Sequence, residues 1–400
     1  MSAPPTASAP RILIDPGSHH LLNLGDVAML QVCVDRLRAL WPGAEMRVLT
    51  AAPELLAQHC PGVTPVDATG RYGLFETRPA ARGPRRLARA RLALAARRRP
   101  AAVAAYAHEL LTADLLALSG RGGLTDAFPD ESREVLDELE LARAIGLPTA
   151  LLGQGVGPLD DVALRERAAR VLPSVGLFTL REGLRGPAIL ASAGVHAANV
   201  VVTGDDAVEL AGGGAGSPKP PPRLGVNARV APYAGIDTED ITALARIAAR
   251  AAERHGAKLQ PIAISAHPAE DDRKAFADLV EPGEPPAPTT PRGVVDAIGG
   301  CRAVVVGSYH AAVFALAQGV PAVGLAASPY YADKLHGLRD QFGEGCRVID
   351  LGGPDALDAI EPALDDLWRR ADELAVDLRA AAERQAIRGR DAYARLETLL

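Results

Sequence analysis

The chain has 400 residues, of which 48% are hydrophobic and 23% are charged, and its formal net charge is −6. A chain of this length exceeds one hydrophobic core, so two globular domains are expected. The negative charge gives no reason to expect nucleic acid as a partner. The four cysteines are scattered and form no CxxC pair, which argues against a disulfide scaffold and a structural zinc site and favours a cytoplasmic location.

Residues 1–10 lack the basic and apolar regions of a signal peptide and predict a disordered lead. After them, strand-like and helix-like segments alternate. "RILID" (11–15) predicts a strand, "PGSHHLLNLG" a loop and "DVAMLQVCVDRLRALW" an amphipathic helix. Further strands are predicted in "EMRVLT", "DLLALSG", "LPTALLG", "GLFTLRE" and "NVVVTG". Strands separated by helices predict a parallel, Rossmann-like domain over residues 11–210.

Residues 77–99, "TRPAARGPRRLARARLALAARRR", carry arginines and no acidic residue. Two interpretations stand. The segment is either a solvated connection that packs a few leucines, or a lid or patch that meets an anionic polymer or lipid surface. We therefore expect at most a peripheral membrane contact, through residues 78–99.

The alternation stops at residues 211–222, "AGGGAGSPKPPP", whose composition is typical of a linker. It resumes with the strand-like segments "RLGVNAR", "KLQPIAI", "AVVVGS", "AVGLA" and "CRVIDL". This pattern predicts a second Rossmann-like domain over residues 223–360, facing the first across a cleft. Residues 361–400 predict one long helix, which we expect to pack back on the first domain.

The most apolar stretch, residues 303–332, contains no Asp, Glu, Lys or Arg. A membrane-spanning helix needs about 20 continuous apolar residues. Here "GSYH" interrupts the run after "AVVV", and Gly319-Val320-Pro321 interrupts it again. These two interruptions favour a buried strand–helix–strand unit of a parallel sheet over a membrane span.

Ligands of open parallel sheets bind beyond the carboxyl ends of the strands, and the notable motifs follow predicted strands. In "NLGD", Asn23, Gly25 and Asp26 begin the first helix, where free N–H groups offer an anion site or Asp26 simply caps the helix. The glycine loops "SGRGGLTD", which contains Arg121 and Gly122, and "GQGVGP", which begins just before Gln154, allow close approach of backbone to a ligand. No GxGxxG dinucleotide fingerprint is present.

Arg181 follows a strand directly and has two interpretations. It either pairs with a nearby carboxylate such as Glu182 or Asp205, or holds a phosphate or carboxylate of a ligand. His310 follows the buried strand and opens a helix, where imidazolium is disfavoured unless an anion binds nearby, so it is either an acid–base group or a core histidine.

Three further features give only weak signals of chemistry. Ser308 is a possible nucleophile by residue type, but the GxSxG elbow is missing. His19-His20 resemble half a metal site without further ligands at convincing spacing. The carboxylates in "AHPAEDD" (266–272) predict a solvated loop.

In order and spacing, these motifs resemble the polysaccharide pyruvyl transferase family. The resemblance covers residues from about 11 to about 340 and rests on "NLGDVAML", "SGRGGLTD", "LGQGVGPL", "FTLREG", "VVTGDDAVEL", "GSYHAAVFALAQGVPAVGL" and "YYADKLHGL". It implies a GT-B-like α/β fold and transfer of a pyruvyl group from phosphoenolpyruvate to a sugar, usually as a ketal. It implies no metal and no cofactor besides phosphoenolpyruvate as co-substrate.

By the same resemblance, Arg181 would hold anionic groups of the substrate, His310 would protonate the donor, and Lys334 would stand where the family has a lysine. The other residues expected at the donor or acceptor are Asn23, Gly25, Asp26, Arg121, Gly122, Gln154, Arg229, Ser308 and Tyr309. The family's Arg-x-His appears here as Ser308-Tyr309-His310, so Arg121 or Arg229 is expected to supply the missing charge, unless the donor has changed.

Two other functions remain open at this point. One is a nucleotide-sugar-dependent glycosyltransferase on the same scaffold, which needs an acidic residue that grips a ribose near the helix of the second domain, and "SYHA" offers none. The other is a binding module that kept the cleft and lost turnover. In each case the expected partners are a small-molecule donor and a sugar or metabolite acceptor.

Overall fold

A computed structural model describes residues 9–76, 85–98, 100–212, 222–229, 231–275, 287–353 and 355–400. Within these residues the chain forms two parallel sheets. In chain order the strands are β1 (Arg11–Asp15), β2 (Glu45–Thr50), β3 (Thr64–Asp67), β4 (Leu115–Ser119), β5 (Thr149–Gln154), β6 (Leu177–Leu180), β7 (Val200–Val202), β8 (Arg223–Asn227), β9 (Lys258–Pro261), β10 (Cys301–Val306), β11 (Ala322–Ala326) and β12 (Cys346–Asp350).

Helices cover both faces of each sheet, which is why most strands are continuous apolar runs. In chain order they are α1 (Leu24–Leu40), α2 (Pro53–His59), α3 (Thr69–Glu76), α4 (Arg85–Arg98), α5 (Ala101–Thr112), α6 (Pro129–Ile145), α7 (Val162–Val171), α8 (Gly186–Ser192), α9 (Ala207–Gly212), α10 (Thr238–Arg254), α11 (Pro291–Gly299), α12 (Tyr309–Ala317), α13 (Pro329–Phe342) and α14 (Ala356–Ala394).

The first sheet has the strand order β3-β2-β1-β4-β5-β6-β7, and the second has the order β12-β11-β10-β8-β9. The connections therefore diverge in opposite directions between β1 and β4, and again between β8 and β10. In open parallel sheets, such switch points leave a crevice at the carboxyl ends of the strands. The predicted α/β fold with two parallel sheets is confirmed, and its two crevices are the natural places for a ligand.

The apolar stretch 303–332 forms the strand–helix–strand unit β10–α12–β11 followed by the start of α13. Every residue of α12 is buried, because the helix is packed between the second sheet and other helices. Among the described residues, no helix combines the length and the apolar character that crossing a bilayer requires.

The long helix α14 contacts both parts of the chain. It buries Leu364, Leu367 and Leu378 in the core around the second sheet, whereas Tyr393 near its end and Leu396 just after it join a core of the first. The domain limits proposed from the sequence remain predictions. Residues 1–8 of the lead and 213–221 of the linker lie outside the described residues.

The arginine-rich segment is described over residues 85–98, where it forms α4, and its residues 77–84 and 99 lie outside the described chain. Arg85 donates hydrogen bonds to the carbonyls of Ile145 and Gly146, at the end of α6, and Arg89 donates to those of Ile145 and Leu111. Basic side chains stabilise the negative end of a helix in this way. These two arginines therefore have a structural role, and a peripheral contact of the segment stays a prediction.

Candidate active site between the two sheets

A polar cavity of about 310 Å³ lies between the carboxyl ends of the two sheets. Its wall comes from the segments that follow β1, β3, β4 and β6 on one side and from those that follow β8, β9, β10 and β11 on the other. Both switch points of the fold open into it. Most of the residues predicted for the site line it, namely Asn23, Asp26, Arg121, Gly122, Arg181, Arg229, Ser308, Tyr309, His310 and Lys334.

The loop before α1 joins the two sheets at the cavity. The backbone N–H of Leu24 donates to the carbonyl of Ile264 at 2.8 Å, and Asn23 pairs with Ser265 in an isolated antiparallel bridge. The Asn23 side chain accepts hydrogen bonds from the N–H groups of Gly25 and Asp26, at 3.0 and 3.3 Å. Asn23 is therefore the cap of α1, and the sequence interpretation that Asp26 caps the helix is wrong.

Gly25 brings α1 against the imidazole of His310. A Cβ added to Gly25 would lie far closer than 3.0 Å to Cγ and Nδ1 of that ring. Only glycine permits so close an approach, because any side chain would displace the ring or the helix. Gly25 therefore positions His310 and, within the described residues, lies outside the cavity wall itself.

His310 is 6% exposed, and its Nε2 has no hydrogen-bond partner within the described structure. Oδ2 of Asp205 lies 3.8 Å from this nitrogen. Burial, and then the positive charges of Arg181, Lys334 and Arg229, holds the pKa of His310 well below the usual 6.5. The imidazole is consequently neutral near pH 7 as long as nothing offsets these charges.

Arg181 presents a largely unused guanidinium to the same cavity. It is 3% exposed, its Nη1 lies 3.5 Å from Asp205, and its Nε has no partner among the described atoms. Its guanidinium carbon lies 4.9 Å from the centroid of the Tyr309 ring. Glu182 does not pair with it, because that carboxylate accepts from the backbone N–H groups at the start of α8. Of the two carboxylates that the sequence offered as partners of Arg181, Asp205 is therefore the one that pairs with it, in a long ion pair.

Arg121 and Arg229 differ in how far their donors are already used. Arg121 bonds Glu131 through Nη2 at 2.9 Å, while its buried Nη1 has no partner in the described part of the chain. Arg229 donates through Nη1 to Asp272 at 3.0 Å and through Nη2 to Tyr233 at 2.6 Å and to Glu270. Arg121 therefore has a free donor for a ligand, and Arg229 is committed to its own surroundings.

Lys334 completes the positive side of the cavity. It donates a hydrogen bond to the hydroxyl of Tyr330, which in turn donates to the carbonyl of Gly122 at 3.3 Å. Burial, and next the charge of Arg181, holds the pKa of Lys334 well below its usual value. Burial raises the pKa of Asp26 to about 6 even though Arg181 and Lys334 lower it. In the free protein, burial thus disfavours the charged forms of Lys334 and Asp26. A bound anion would stabilise the charged form of Lys334.

The sequence missed an aromatic and acidic part of the cavity wall. Phe128, Tyr233 and Tyr330 contact one another edge to face, with ring centroids 4.8 to 6.3 Å apart. Glu270 also lines the cavity and Asp272 is 2% exposed, so the prediction of a solvated loop over residues 266–272 is wrong. No local signal identifies Glu270 and Asp272, because their partner, Arg229, lies about forty positions earlier in the chain.

Of two other predicted features, Gln154 stands apart from the cavity lining, whereas His19 lines the cavity with both ring nitrogens already engaged. The amide of Gln154 donates to the carbonyls of Leu118 and Leu152, both at 3.0 Å, and among the described residues Gln154 is outside the cavity wall. The ring nitrogens of His19 are engaged by Asp15 and Tyr72. Within the described residues, no group of three or more His, Cys, Asp or Glu side chains could hold a metal ion.

Solved structures with this architecture include nucleotide-sugar epimerases and glycosyltransferases. A putative UDP-N-acetylglucosamine 2-epimerase from Listeria monocytogenes is 12% identical, with a TM-score of 0.63 over 98% of this chain and 96% of that one. The UDP-GlcNAc 2-epimerase from Neisseria meningitidis bound to UDP-GlcNAc is 10% identical, with a TM-score of 0.54 over 97% and 99%. The calicheamicin glycosyltransferase CalG4 is 17% identical, with a TM-score of 0.52 over 98% and 99%. At such identities the likeness concerns the GT-B-like fold alone.

Comparison with curated protein sequences finds no significant match. The family model for polysaccharide pyruvyl transferases, by contrast, matches residues 23–329. That range begins at the cap of α1 and includes every strand from β2 to β11, and with them the cavity residues from Asn23 to His310. The chain therefore belongs to the polysaccharide pyruvyl transferase family.

Proposed function

We propose that the protein transfers the pyruvyl group of phosphoenolpyruvate to a hydroxyl of a sugar or of a hydroxylated metabolite. The observation that supports this most is a set of unpaired buried polar atoms around one cavity, which includes Nε of Arg181, Nη1 of Arg121 and Nε2 of His310. Buried donors without partners are rare in native proteins, because each costs about 1–3 kcal/mol. Their convergence suits a small ligand with two anionic groups.

The reaction can be written with its atoms balanced. A proton is added to the methylene carbon of phosphoenolpyruvate, which becomes a methyl group and leaves an oxocarbenium-like carbon. One acceptor hydroxyl adds to that carbon and loses its proton. The bond between this carbon and the phosphate oxygen breaks, and a second hydroxyl of the acceptor closes the ketal. Of the two hydroxyl protons, one replaces the proton given to the methylene carbon and the other leaves with inorganic phosphate.

His310 is the proposed acid, and its surroundings link its protonation to donor binding. In the free protein, burial and three cations hold its pKa well below 6.5. The phosphate and carboxylate of the donor would offset Arg181 and Lys334, so the imidazolium would become stable only when the donor is bound. Proton transfer by a positioned acid typically contributes about 10²–10⁴-fold to the rate.

Arg121 is the proposed substitute for the arginine that the family has at position 308. Ser308 lines the cavity, but its side chain cannot hold an anion as a guanidinium does. Arg121 comes from the loop after β4 on the opposite sheet, is buried, and keeps one unpaired nitrogen. The cationic group would thus have moved from one wall of the cleft to the other. Arg229 is the weaker candidate, because its donors are already bonded.

The proposal is tested by incubating the purified protein with phosphoenolpyruvate and a panel of sugar acceptors, and following phosphate release together with the mass of the product. We expect phosphate release that depends on the acceptor and falls at least a hundredfold in His310→Gln. A thermal shift with UDP-sugars but none with phosphoenolpyruvate would instead favour the glycosyltransferase alternative. Donor binding without turnover across the panel would favour the binding module.

The substitute role of Arg121 has its own test. Arg121→Gln should weaken phosphoenolpyruvate binding at least tenfold, and adding Ser308→Arg to that variant should recover part of the loss. The matched control is Arg229→Gln, whose effect should appear mainly as lower thermal stability, because it leaves Asp272 buried without its partner. Unchanged donor affinity in Arg121→Gln would remove this residue from the donor site.

A further inference from the structure

A chain of hydrogen bonds runs from a buried carboxylate to the cavity on the side of the first sheet. Nε2 of His19 lies 2.8 Å from Oδ1 of Asp15, and Nδ1 of His19 lies 2.8 Å from the hydroxyl of Tyr72. His19 is 4% exposed and Asp15 is 1% exposed, whereas Tyr72 is 41% exposed. His19 and Tyr72 both line the cavity that contains His310. The three side chains therefore connect the protein interior with the place where substrates would bind.

The charges around Asp15 determine the direction of these hydrogen bonds. Burial alone would raise the pKa of Asp15, but Arg71, whose Nε lies 3.1 Å from Oδ2, and His19 hold it well below the usual value. Asp15 is consequently a carboxylate, and it accepts a hydrogen bond from Nε2–H of His19. In neutral His19 the other nitrogen, Nδ1, then has a lone pair and accepts from the hydroxyl of Tyr72.

The histidine is also held in place through its backbone. The carbonyl of His19 accepts hydrogen bonds from the N–H of Ala51 at 2.9 Å and from the hydroxyl of Thr50 at 3.1 Å. The second carboxylate oxygen of Asp15 lies 3.1 Å from Nε of Arg71, which is fully buried and also paired with Glu138. A base whose orientation is fixed by a carboxylate and by rigid backbone is the arrangement that acid–base catalysis requires.

The other acidic or basic groups of the cavity are less suited to accept a proton. Glu131 and Glu270 are hydrogen-bonded to Arg121 and Arg229, so each carboxylate already has a cationic partner. Asp26 lies in the field of the cations proposed for the donor. His310 is already proposed as the acid that protonates the donor. His267 lines the cavity too, but its buried Nδ1 has no partner within the described structure to orient it.

We propose that Asp15, His19 and Tyr72 form a proton relay that deprotonates the acceptor hydroxyl. This inference rests on the proposed function. As the oxygen of the acceptor forms its bond to the central carbon of the donor, its O–H bond breaks and the proton passes to the hydroxyl oxygen of Tyr72. The proton of Tyr72 passes at the same time to Nδ1 of His19, and Asp15 stabilises the resulting imidazolium. The imidazolium later returns its proton through Tyr72 to the departing phosphate.

The relay is tested by steady-state kinetics with phosphoenolpyruvate and an acceptor that the wild-type protein uses. His19→Gln should lower kcat at least a hundredfold, and Tyr72→Phe, which removes one hydroxyl, should lower it at least tenfold. Both variants should keep the dissociation constant for phosphoenolpyruvate within threefold, because the donor is held elsewhere. His108→Gln, an exposed histidine on α5, is the control for substitution as such and should keep full activity.

A purely structural role of His19 is separated by chemical rescue. In His19→Ala, added imidazole should restore at least tenfold of the lost kcat without changing the melting temperature. No rescue, or an undiminished kcat in Tyr72→Phe, would overturn the relay, as would a loss confined to His267→Gln. If the wild-type protein releases no phosphate with any acceptor, the proposed function itself fails and the relay falls with it. Turnover by the wild type and by His19→Gln alike would overturn the relay alone.

Discussion

At the scale of single residues, the candidate site depends on charges whose balance is incomplete without a ligand. One cavity is lined by Arg181, Arg121, Lys334 and His310. A carboxylate oxygen of Asp205 lies 3.5 Å from Nη1 of Arg181 and 3.8 Å from Nε2 of His310. Burial makes each of these charges costly unless a partner offsets it. A small dianion would supply such a partner, and its arrival would change the protonation of its neighbours.

The pH dependence of turnover should report this coupling. A general acid must be protonated, so activity falls as pH rises through its pKa. In the free protein the pKa of His310 is held well below 6.5 by burial, Arg181, Lys334 and Arg229, so kcat/KM should already decline through the neutral range. The bound donor offsets these cations and raises that pKa, so kcat should decline only at higher pH. We expect the midpoint of the kcat profile to lie at least one pH unit above that of kcat/KM.

The groups that face His310 supply the control for this profile. Two carboxyl groups near His310 also titrate, namely Asp26, with a pKa of about 6, and Asp205. When charged, both stabilise the protonated form of His310. Arg181→Gln removes one cation, so it should move the kcat/KM midpoint to higher pH even though it lowers the absolute value. Equal midpoints for kcat and kcat/KM in the wild-type protein would contradict the proposed effect of the donor on His310.

At the scale of secondary structure, the site exists because two helices begin at the same point. The helix α1 follows the first strand of one sheet, α12 follows the central strand of the other, and both start at the cavity. Gly25 lets them meet, because it places backbone where a side chain would overlap the ring of His310. The close approach of α1 to α12 therefore requires glycine at position 25, and the sequence of neither helix alone shows this requirement.

Gly25→Ala should disturb both stability and turnover. The added methyl group must displace His310 or α1, and overpacking of this kind typically costs about 1–3 kcal/mol. We expect a lower melting temperature and a kcat reduced at least tenfold, measured on the same preparation. Gly352→Ala is the matched control, since a Cβ there would meet nothing within 4 Å. Full stability and full activity in Gly25→Ala would show that the two helices do not pack as described.

At the scale of the whole molecule, a buried cluster ties the C-terminal helix to the first sheet. Asp206 pairs with Arg36 of α1 at 2.5 Å and accepts a hydrogen bond from the hydroxyl of Tyr393 of α14 at 2.7 Å. The guanidinium of Arg36 lies 4.8 Å from the centroid of the Tyr393 ring. Because α14 also packs in the core of the second sheet, this cluster helps to fix how the two sheets face each other.

Tyr393→Phe should weaken this connection. It removes one hydrogen bond to a buried carboxylate, a loss that typically costs about 1–3 kcal/mol. We expect a lower midpoint of urea unfolding and a raised KM for phosphoenolpyruvate, because the two walls of the cavity would be held less firmly. Asp377→Asn, an exposed change on the same helix, should leave both values unchanged. An unfolding midpoint equal to that of the wild type would contradict a stabilising role for the cluster.

The alternation of strands and helices was sufficient to predict the fold class, and motif order was sufficient to predict the family, because both depend on local patterns along the chain. The strand order was not predictable in this way. It alone brings Asp205 to Arg181 and His310, and brings residues 266–272 to Arg229, over separations of 24 to 105 positions. The sequence therefore suggested which residues belong to the cavity and offered Asp205 as a partner of Arg181, but the partners of Arg229 and the contact between His19 and Tyr72 did not follow from it.

The central claim, that this cavity holds the two anionic groups of phosphoenolpyruvate, is tested most directly by titrating that compound into the wild-type protein and into Arg181→Gln while measuring the heat of binding. We predict one saturable site in the wild-type protein and affinity at least tenfold weaker in the variant, with both proteins folded at the temperature of the titration. Absence of binding to the wild type, or equal affinity in both proteins, would contradict the claim.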